Sequence, residues 1–184
     1  MPADSFIPDY TQLKGAVDTL RKDGRRIVLT QGVYDLIHEG HALYLEKAKA
    51  YGDVLVVGVD SDALTKLRKG PERPIVPEAE RVRMLTHLRH VDLVTIRNVN
   101  DDLGTLIRLV RPDVLVVSES TRDFTKQMVE DYAGVCGQIV SLPPQAVTSS
   151  SARIRMLTIE GAVKLSHEIN RAVEEFIGKI RNVE

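Results

Sequence analysis

Arg26-Ile27-Val28-Leu29-Thr30-Gln31-Gly32-Val33-Tyr34-Asp35-Leu36-Ile37-His38-Glu39-Gly40-His41 passes from an apolar, β-branched run into a polar stretch that opens a helix. Its first five residues predict a strand, and His41–Ala50 predicts the helix that follows. Backbone N–H groups at such a helix start, with the positive end of the dipole, form a natural phosphate site. Gly32 and Gly40 let the backbone approach a ligand closely. His38 and His41 lie three apart, so on a first helical turn they share one side. Aimed at one phosphate, two imidazoles donate hydrogen bonds to it and stabilise charge on a leaving group. Taken alone, a histidine pair at this spacing is more often a surface or core feature than a catalytic one. As metal ligands the two histidines lack a nearby cysteine and a third partner at a standard spacing.

Working outward, the same strand-then-helix pattern repeats. Asp53–Val59, Asp92–Ile96, Asp113–Val117 and Gln138–Leu142 are the further strand candidates, the first and third of them almost uniformly apolar. Such runs suit strands covered on both faces. Glu78–Leu88, Asp102–Val110 and Asp123–Ala133 carry helical spacing, with Pro77 and the acids Glu78 and Glu80 at a helix start. Asp9–Lys22 and Ala162–Arg181 add a helix at each end. The alternation predicts an α/β protein: a Rossmann-like parallel sheet of about five strands, helices on both faces, plus N- and C-terminal helices. It reads as one domain over residues 1–184, with a core of about 25–158 and a helical extension of about 160–182. Ligands of such sheets bind at the carboxyl ends of the strands, near a switch in strand order.

The composition sets limits. The 184 residues are 43% hydrophobic and 28% charged, with a formal net charge of −1, an ordinary globular balance that does not suggest nucleic-acid or membrane partners. Cys136 is the only cysteine, so an intramolecular disulfide is excluded and a small buried residue is the simplest reading. No secretory leader and no apolar run of about 20 residues is seen, so a cytoplasmic location is expected.

With those residues in view, Thr30 to His41 resembles the T-x-G-x-(F/Y)-D-x-x-H-x-G-H signature of the cytidylyltransferase-like nucleotidyltransferase superfamily, with Tyr34 where phenylalanine is commoner. The resemblance runs from about Asp9 to Leu157. It is nearest to the adenylyltransferase domain of bifunctional ADP-heptose synthases, with glycerol-3-phosphate cytidylyltransferases further off. Val57-Gly58-Val59-Asp60-Ser61-Asp62, Lys66 to Arg73, Glu80-Arg81 and Leu88-Arg89-His90-Val91-Asp92 carry it.

The resemblance implies transfer of a nucleoside monophosphate from ATP or CTP to a small phosphorylated substrate, with release of pyrophosphate and Mg2+ riding on the triphosphate. His38, His41 and Lys69 are the implied catalytic residues. Thr30, Gly32, Val33, Tyr34 and Gly40 would line the nucleotide together with the histidines, and Asp35, Lys66, Lys69 and Arg81 would face the second substrate. A loop containing Lys66, Arg68, Lys69 and Arg73 would close over the site, although by composition alone it is a solvated run. Thr148, Ser149, Ser150 and Ser151 precede a helical stretch, Ala152–Leu157. Hydroxyls there cap a helix whatever the function, while the resemblance implies contacts to the β- and γ-phosphates.

One departure stands out. Relatives carry a glycine-rich stretch with an aspartate after the fourth strand, where this chain has Ser118-Glu119-Ser120-Thr121-Arg122. Base choice is therefore open. A coenzyme-forming adenylyltransferase and a non-catalytic nucleotide sensor of the same fold are the alternatives, and a homodimer is the expected assembly.

Overall fold

The computed structural model describes residues 5–119, 130–132, 134–146 and 150–181, with backbone alone for 150–151 and 175–181. The chain forms two units, Met1–Val147 and Thr148–Glu184.

In the first unit, α1 (Tyr10–Lys22) leads into β1 (Ile27–Gly32), α2 (Glu39–Lys49), β2 (Val54–Asp60), α3 (Asp62–Lys69) and α4 (Glu78–Thr86). There follow β3 (Leu93–Arg97), α5 (Thr105–Val110), β4 (Val114–Ser118) and β5 (Gln138–Leu142). The five strands are parallel, in the order β3-β2-β1-β4-β5. Strand order therefore reverses between β1 and β4, which makes their carboxyl ends the switch point where ligands of open α/β sheets bind. Residues 5–7 run alongside β3, with Ile7 donating to the Val94 carbonyl and Val94 donating to that of Ser5.

The core follows from the alternation of side chains along each strand. Leu13 and Val17 of α1 and Leu106, Ile107 and Val110 of α5 cover one face of the sheet, against Ile27, Leu29, Val56 and Leu115. Tyr44, Leu45 and Ala48 of α2 and Val82 and Leu85 of α4 cover the other, against Val28, Val57, Val59 and Val116. Every residue of β2 is buried, as its uniform apolar run requires. Each Val or Leu so buried contributes about 1.5–3 kcal/mol. Cys136 belongs to the first of these clusters, and burial pushes its thiol up to about 11, the behaviour of a packing residue.

Several boundaries differ from the sequence reading. The helix expected from His41 begins at Glu39, because His38 serves as its N-cap. Asp102–Val110 begins only at Thr105 and Glu78–Leu88 ends at Thr86. The run expected as a basic loop is helical through Lys69: Ser61 caps α3 by accepting from the Leu64 N–H, and Asp62 and the terminal cations complement its dipole. The helix expected over Asp123–Ala133 lies largely outside the described residues, of which 130–132 are helical.

In the second unit, the two helices expected at Ala152–Leu157 and Ala162–Arg181 are one 32-residue helix, α6 (Ser150–Arg181), which runs through Gly161. Among the described residues no helix is long and apolar enough to cross a membrane.

Candidate active site

The turn after β1 is built under strain. Tyr34 and Leu36 both hold positive φ, at 55° and 48°, a region that side-chain-bearing residues enter at a cost of about 1–3 kcal/mol. The Tyr34 ring folds back beneath Gly32, where a Cβ would stand 3.2 Å from it. A Cβ on Gly40 would come within 3.0 Å of the His38 ring and 2.9 Å of the Ala146 side chain. Both glycines are thus needed for close approach.

His38 and His41 cap the helix they open. His38 Nδ1 accepts from the Gly40 N–H at 3.1 Å, and His41 Nδ1 accepts from the His38 N–H at 3.4 Å. The rings stack with centroids 4.0 Å apart, and Tyr34 meets His41 edge-on at 5.6 Å. A neutral imidazole that accepts at Nδ1 carries its hydrogen on Nε2. The caps therefore assign both rings the Nε2–H tautomer, as donors. Burial pushes His41 down to about 4, with the neighbouring His38 and the Lys69 ammonium acting in the same direction. His41 is neutral at pH 7.

The cations lie on the last turn of α3 and beyond it. Lys69 is exposed as a whole residue, yet desolvation by the protein wall, then Arg73, lowers its ammonium pKa, a combination that favours an anion beside it. Gly70, at φ 98°, ends α3 directly after Lys69. Arg68 is turned inward onto the fully buried Asp60. Lys66 is exposed.

Asp35 is 2% exposed and works as a latch rather than an open carboxylate. It accepts from the Ile75 and Val76 N–H groups at 3.0 and 2.9 Å and pairs with Arg73 at 2.9 Å. The signature turn and the segment after Gly70 are joined there.

Four residues expected at a ligand are engaged within the protein. Arg81 is 1% exposed and spends its donors inside the protein, on the carbonyls of Val33, Asp60 and Val76 and on Asp62. It is a strut and does not face a substrate phosphate, because each of its nitrogens is committed to an acceptor within the fold. Thr30 turns its hydroxyl to Tyr44, 2.8 Å away, and Tyr44 donates on to the Val116 carbonyl. Val33 and Tyr34 are buried beneath the turn, and among the described residues the Tyr34 hydroxyl makes no well-formed hydrogen bond. Thr148 and Ser149 lie outside the described residues, and Ser150 and Ser151 are described only as the backbone that starts α6.

The structure thus brings His38, His41, Lys69 and Asp35 together, since both Lys69 and Asp35 act on the titration of His41. Sequence reasoning missed Gln31, Asp60, Arg68 and Arg97 as a buried polar cluster at the same strand ends. The available signal was Arg97, a cation directly after the apolar end of β3.

A helix N-terminus at the switch point of a parallel sheet places the protein in the α/β class whose ligands bind at the carboxyl ends of the strands. The cytidylyltransferase-like family model matches residues 29–157, and the chain belongs to that family and is a nucleotidyltransferase. It is 40% identical over 147 residues to the bifunctional protein HldE of Desulfatibacillum aliphaticivorans, covering 78% of this chain and 29% of that one. The HldE of a Nitratiruptor species is 46% identical over 115 residues, 62% of this chain and 25% of the relative. The chain therefore spans between a quarter and a third of the length of these relatives. Among solved structures, a lipopolysaccharide core biosynthesis protein from Thermoplasma volcanium superposes with a TM-score of 0.56 at 30% identity, covering 65% of this chain and 97% of that one. Pantothenate synthetase from Thermus thermophilus, at 16% identity and TM-score 0.56, shares the fold, over 75% of this chain and 61% of its own.

Proposed function

We propose that the protein transfers a nucleoside monophosphate from ATP or CTP to a small phosphorylated substrate, a sugar phosphate before a phospho-alcohol, and releases pyrophosphate. The observation that carries this is the stacked His38–His41 pair, two Nε2–H donors fixed by the backbone of the helix they cap. The resemblance to the adenylyltransferase domain of ADP-heptose synthases favours ATP and a sugar phosphate.

In this reading an oxygen of the substrate phosphate attacks the α-phosphorus in line, and the bond to the β-phosphate oxygen breaks with its electron pair leaving on pyrophosphate. No covalent enzyme intermediate forms. Charge spreads over the non-bridging α-oxygens, and the two imidazoles donate to them without reorganising. Lys69 adds charge beside them, while Asp35 and Arg73 hold the following segment in place. Thr148, Ser149, Ser150 and Ser151 take the β- and γ-phosphates, by the resemblance of their motif.

Asp35 and Asp60 have their oxygens committed to N–H and guanidinium donors, and among the described residues no group of three His, Cys, Asp or Glu is placed to hold a metal ion. In this reading Mg2+ arrives on the triphosphate oxygens, as the resemblance implies. A cytoplasmic location fits a reaction that draws on the NTP pool. Homodimerisation is part of the reading; the half-exposed Met156, Ile159, Val163, Leu165 and Ile169 of α6 support it.

The test crosses ATP, CTP, GTP and UTP with phosphorylated sugars and alcohols in the presence of Mg2+, with pyrophosphate release as the readout. One pair well above the others is expected. NTP binding without release for any pair would favour a sensor.

A further inference from the structure

At the carboxyl ends of β1, β2 and β3 a chain of polar groups is buried on the α1/α5 side of the sheet. Arg97 is 3% exposed, and its Nε and Nη2 donate to Asp60 Oδ1 at 3.0 and 2.7 Å. The other Asp60 oxygen accepts from Arg68, so this carboxylate is shared by two guanidinium groups. The remaining Arg97 nitrogen, Nη1, donates to Gln31 Oε1 at 3.2 Å. Gln31 immediately precedes Gly32 of the signature turn, on the strand that borders the switch point.

A guanidinium has no acceptor, so only the carbonyl end of the glutamine amide can face it. Arg97 thereby decides which way the Gln31 amide points. Its carbonyl is turned into the protein, and the two Nε2 hydrogens are left on the opposite side of the group. Among the described residues they donate to nothing. The side chain is also confined from below: a Cβ on Gly58, its register partner in β2, would stand 3.4 Å from Gln31 Cγ and 2.5 Å from Leu106. Gln31 is half-buried, directed by its neighbours, and its donor end is absent from the buried unsatisfied groups, so it reaches solvent. An amide held in this orientation at the carboxyl end of β1, beside the switch point, is placed to meet a ligand acceptor.

We infer that Gln31 is a substrate-contacting, specificity-determining residue whose amide donates to a substrate oxygen, and that Arg97 is a positioning residue acting through it. The inference rests on the nucleotidyl-transfer reading for its substrates, but concerns residues outside the histidine pair. The oxygen belongs either to the nucleotide or to the phosphorylated acceptor, and the two KM values tell these apart.

The experiment is a double-mutant cycle in the full chain with Gln31→Leu, Arg97→Lys and the double variant, recording kcat and both KM values. Gln31→Leu is expected to raise one KM about tenfold, the scale of one neutral hydrogen bond to a ligand, with kcat nearly unchanged. Arg97→Lys should raise the same KM severalfold, and the double variant should be no worse than Gln31→Leu alone. Unchanged KM values in Gln31→Leu, or effects of the two substitutions that multiply, would overturn the inference. Should Arg97→Lys fail to fold, Gln31→Glu serves instead: Arg97 still pairs with the carboxylate, the donors are gone, and the same KM must rise further. If the wild type turns over no pair in the panel, the transfer reading fails separately. Calorimetric titration of the same variants with each NTP and with each phosphorylated sugar and alcohol of the panel then decides, with about tenfold weaker binding of one of them by Gln31→Leu expected and equal binding of all of them overturning the inference.

Discussion

His38 and His41 lie face to face, their ring centroids 4.0 Å apart, each holding a backbone N–H of the turn at its Nδ1. In the proposed reaction, function and capping use opposite edges of the same rings. Removing His41 should therefore cost turnover far more than fold: His41→Ala is expected to lower kcat by about 10²–10³-fold. Its unfolding free energy should fall by no more than about 1 kcal/mol, the scale of a helix cap. Pyrophosphate-release kinetics and urea titration measure the two; near-normal turnover would rule out the role given to His41.

The titration of His41 sets a pH dependence of stability. Its pKa lies at about 4 in the folded protein against an ordinary value of 6.5, so below pH 6.5 the unfolded chain binds the proton more readily. Stability should fall as pH drops from about 6.5 to about 4 and lose no more from this group below that, a total of about 3 kcal/mol at most. His41→Gln should flatten this part of a stability–pH curve measured by chemical denaturation. An unchanged slope would assign it to other groups.

Asp35 ties the signature turn to residues 73–76, and Arg73 is left buried without it. Asp35→Ala should destabilise the protein by about 2–4 kcal/mol, because an uncompensated cation and two orphaned N–H groups remain. Limited proteolysis should show faster cleavage around Gly70–Pro77. Cleavage at the wild-type rate would mean that the latch holds nothing in place.

Tyr34 gives a prediction of opposite sign. Its hydroxyl is enclosed beside Thr30 with no well-formed hydrogen bond among the described residues, and burial raises its pKa well above the ordinary tyrosine value. Tyr34→Phe removes an unsatisfied polar group while keeping the ring beneath Gly32, so a gain of up to about 1 kcal/mol is expected. Tyr44→Phe, which strips Thr30 of its partner, should instead cost about 1 kcal/mol. Thermal melts of the two variants should move in opposite directions.

The sheet was legible because β2 and β4 are almost uniformly apolar, and the strand–turn–helix junction that carries the candidate site because glycine and histidine spacing at a strand end has few other uses. What was not legible depends on burial. Nothing in the local sequence distinguishes Arg81, an interior strut, from a phosphate ligand, since its acceptors come from Val33, Asp60 and Val76. Lys66 to Lys69 read as a loop because their charges hid the short helix that Ser61 caps. Gln31 went unnoticed because its orientation depends on an arginine 66 positions away.

Arg81 also bears on how portable the signature is. Val33, within the motif, has its carbonyl held by a residue 48 positions further along the chain. A peptide of residues 30–41, or those residues grafted onto another strand–helix junction, would keep the letters of the motif and lose this anchorage, along with the bonds from Ile75 and Val76 to Asp35. The motif is readable as a twelve-residue word but is heritable only together with the α3–α4 segment that braces it, so an insertion or exchange between Asp60 and Arg81 puts the histidines at risk without altering them.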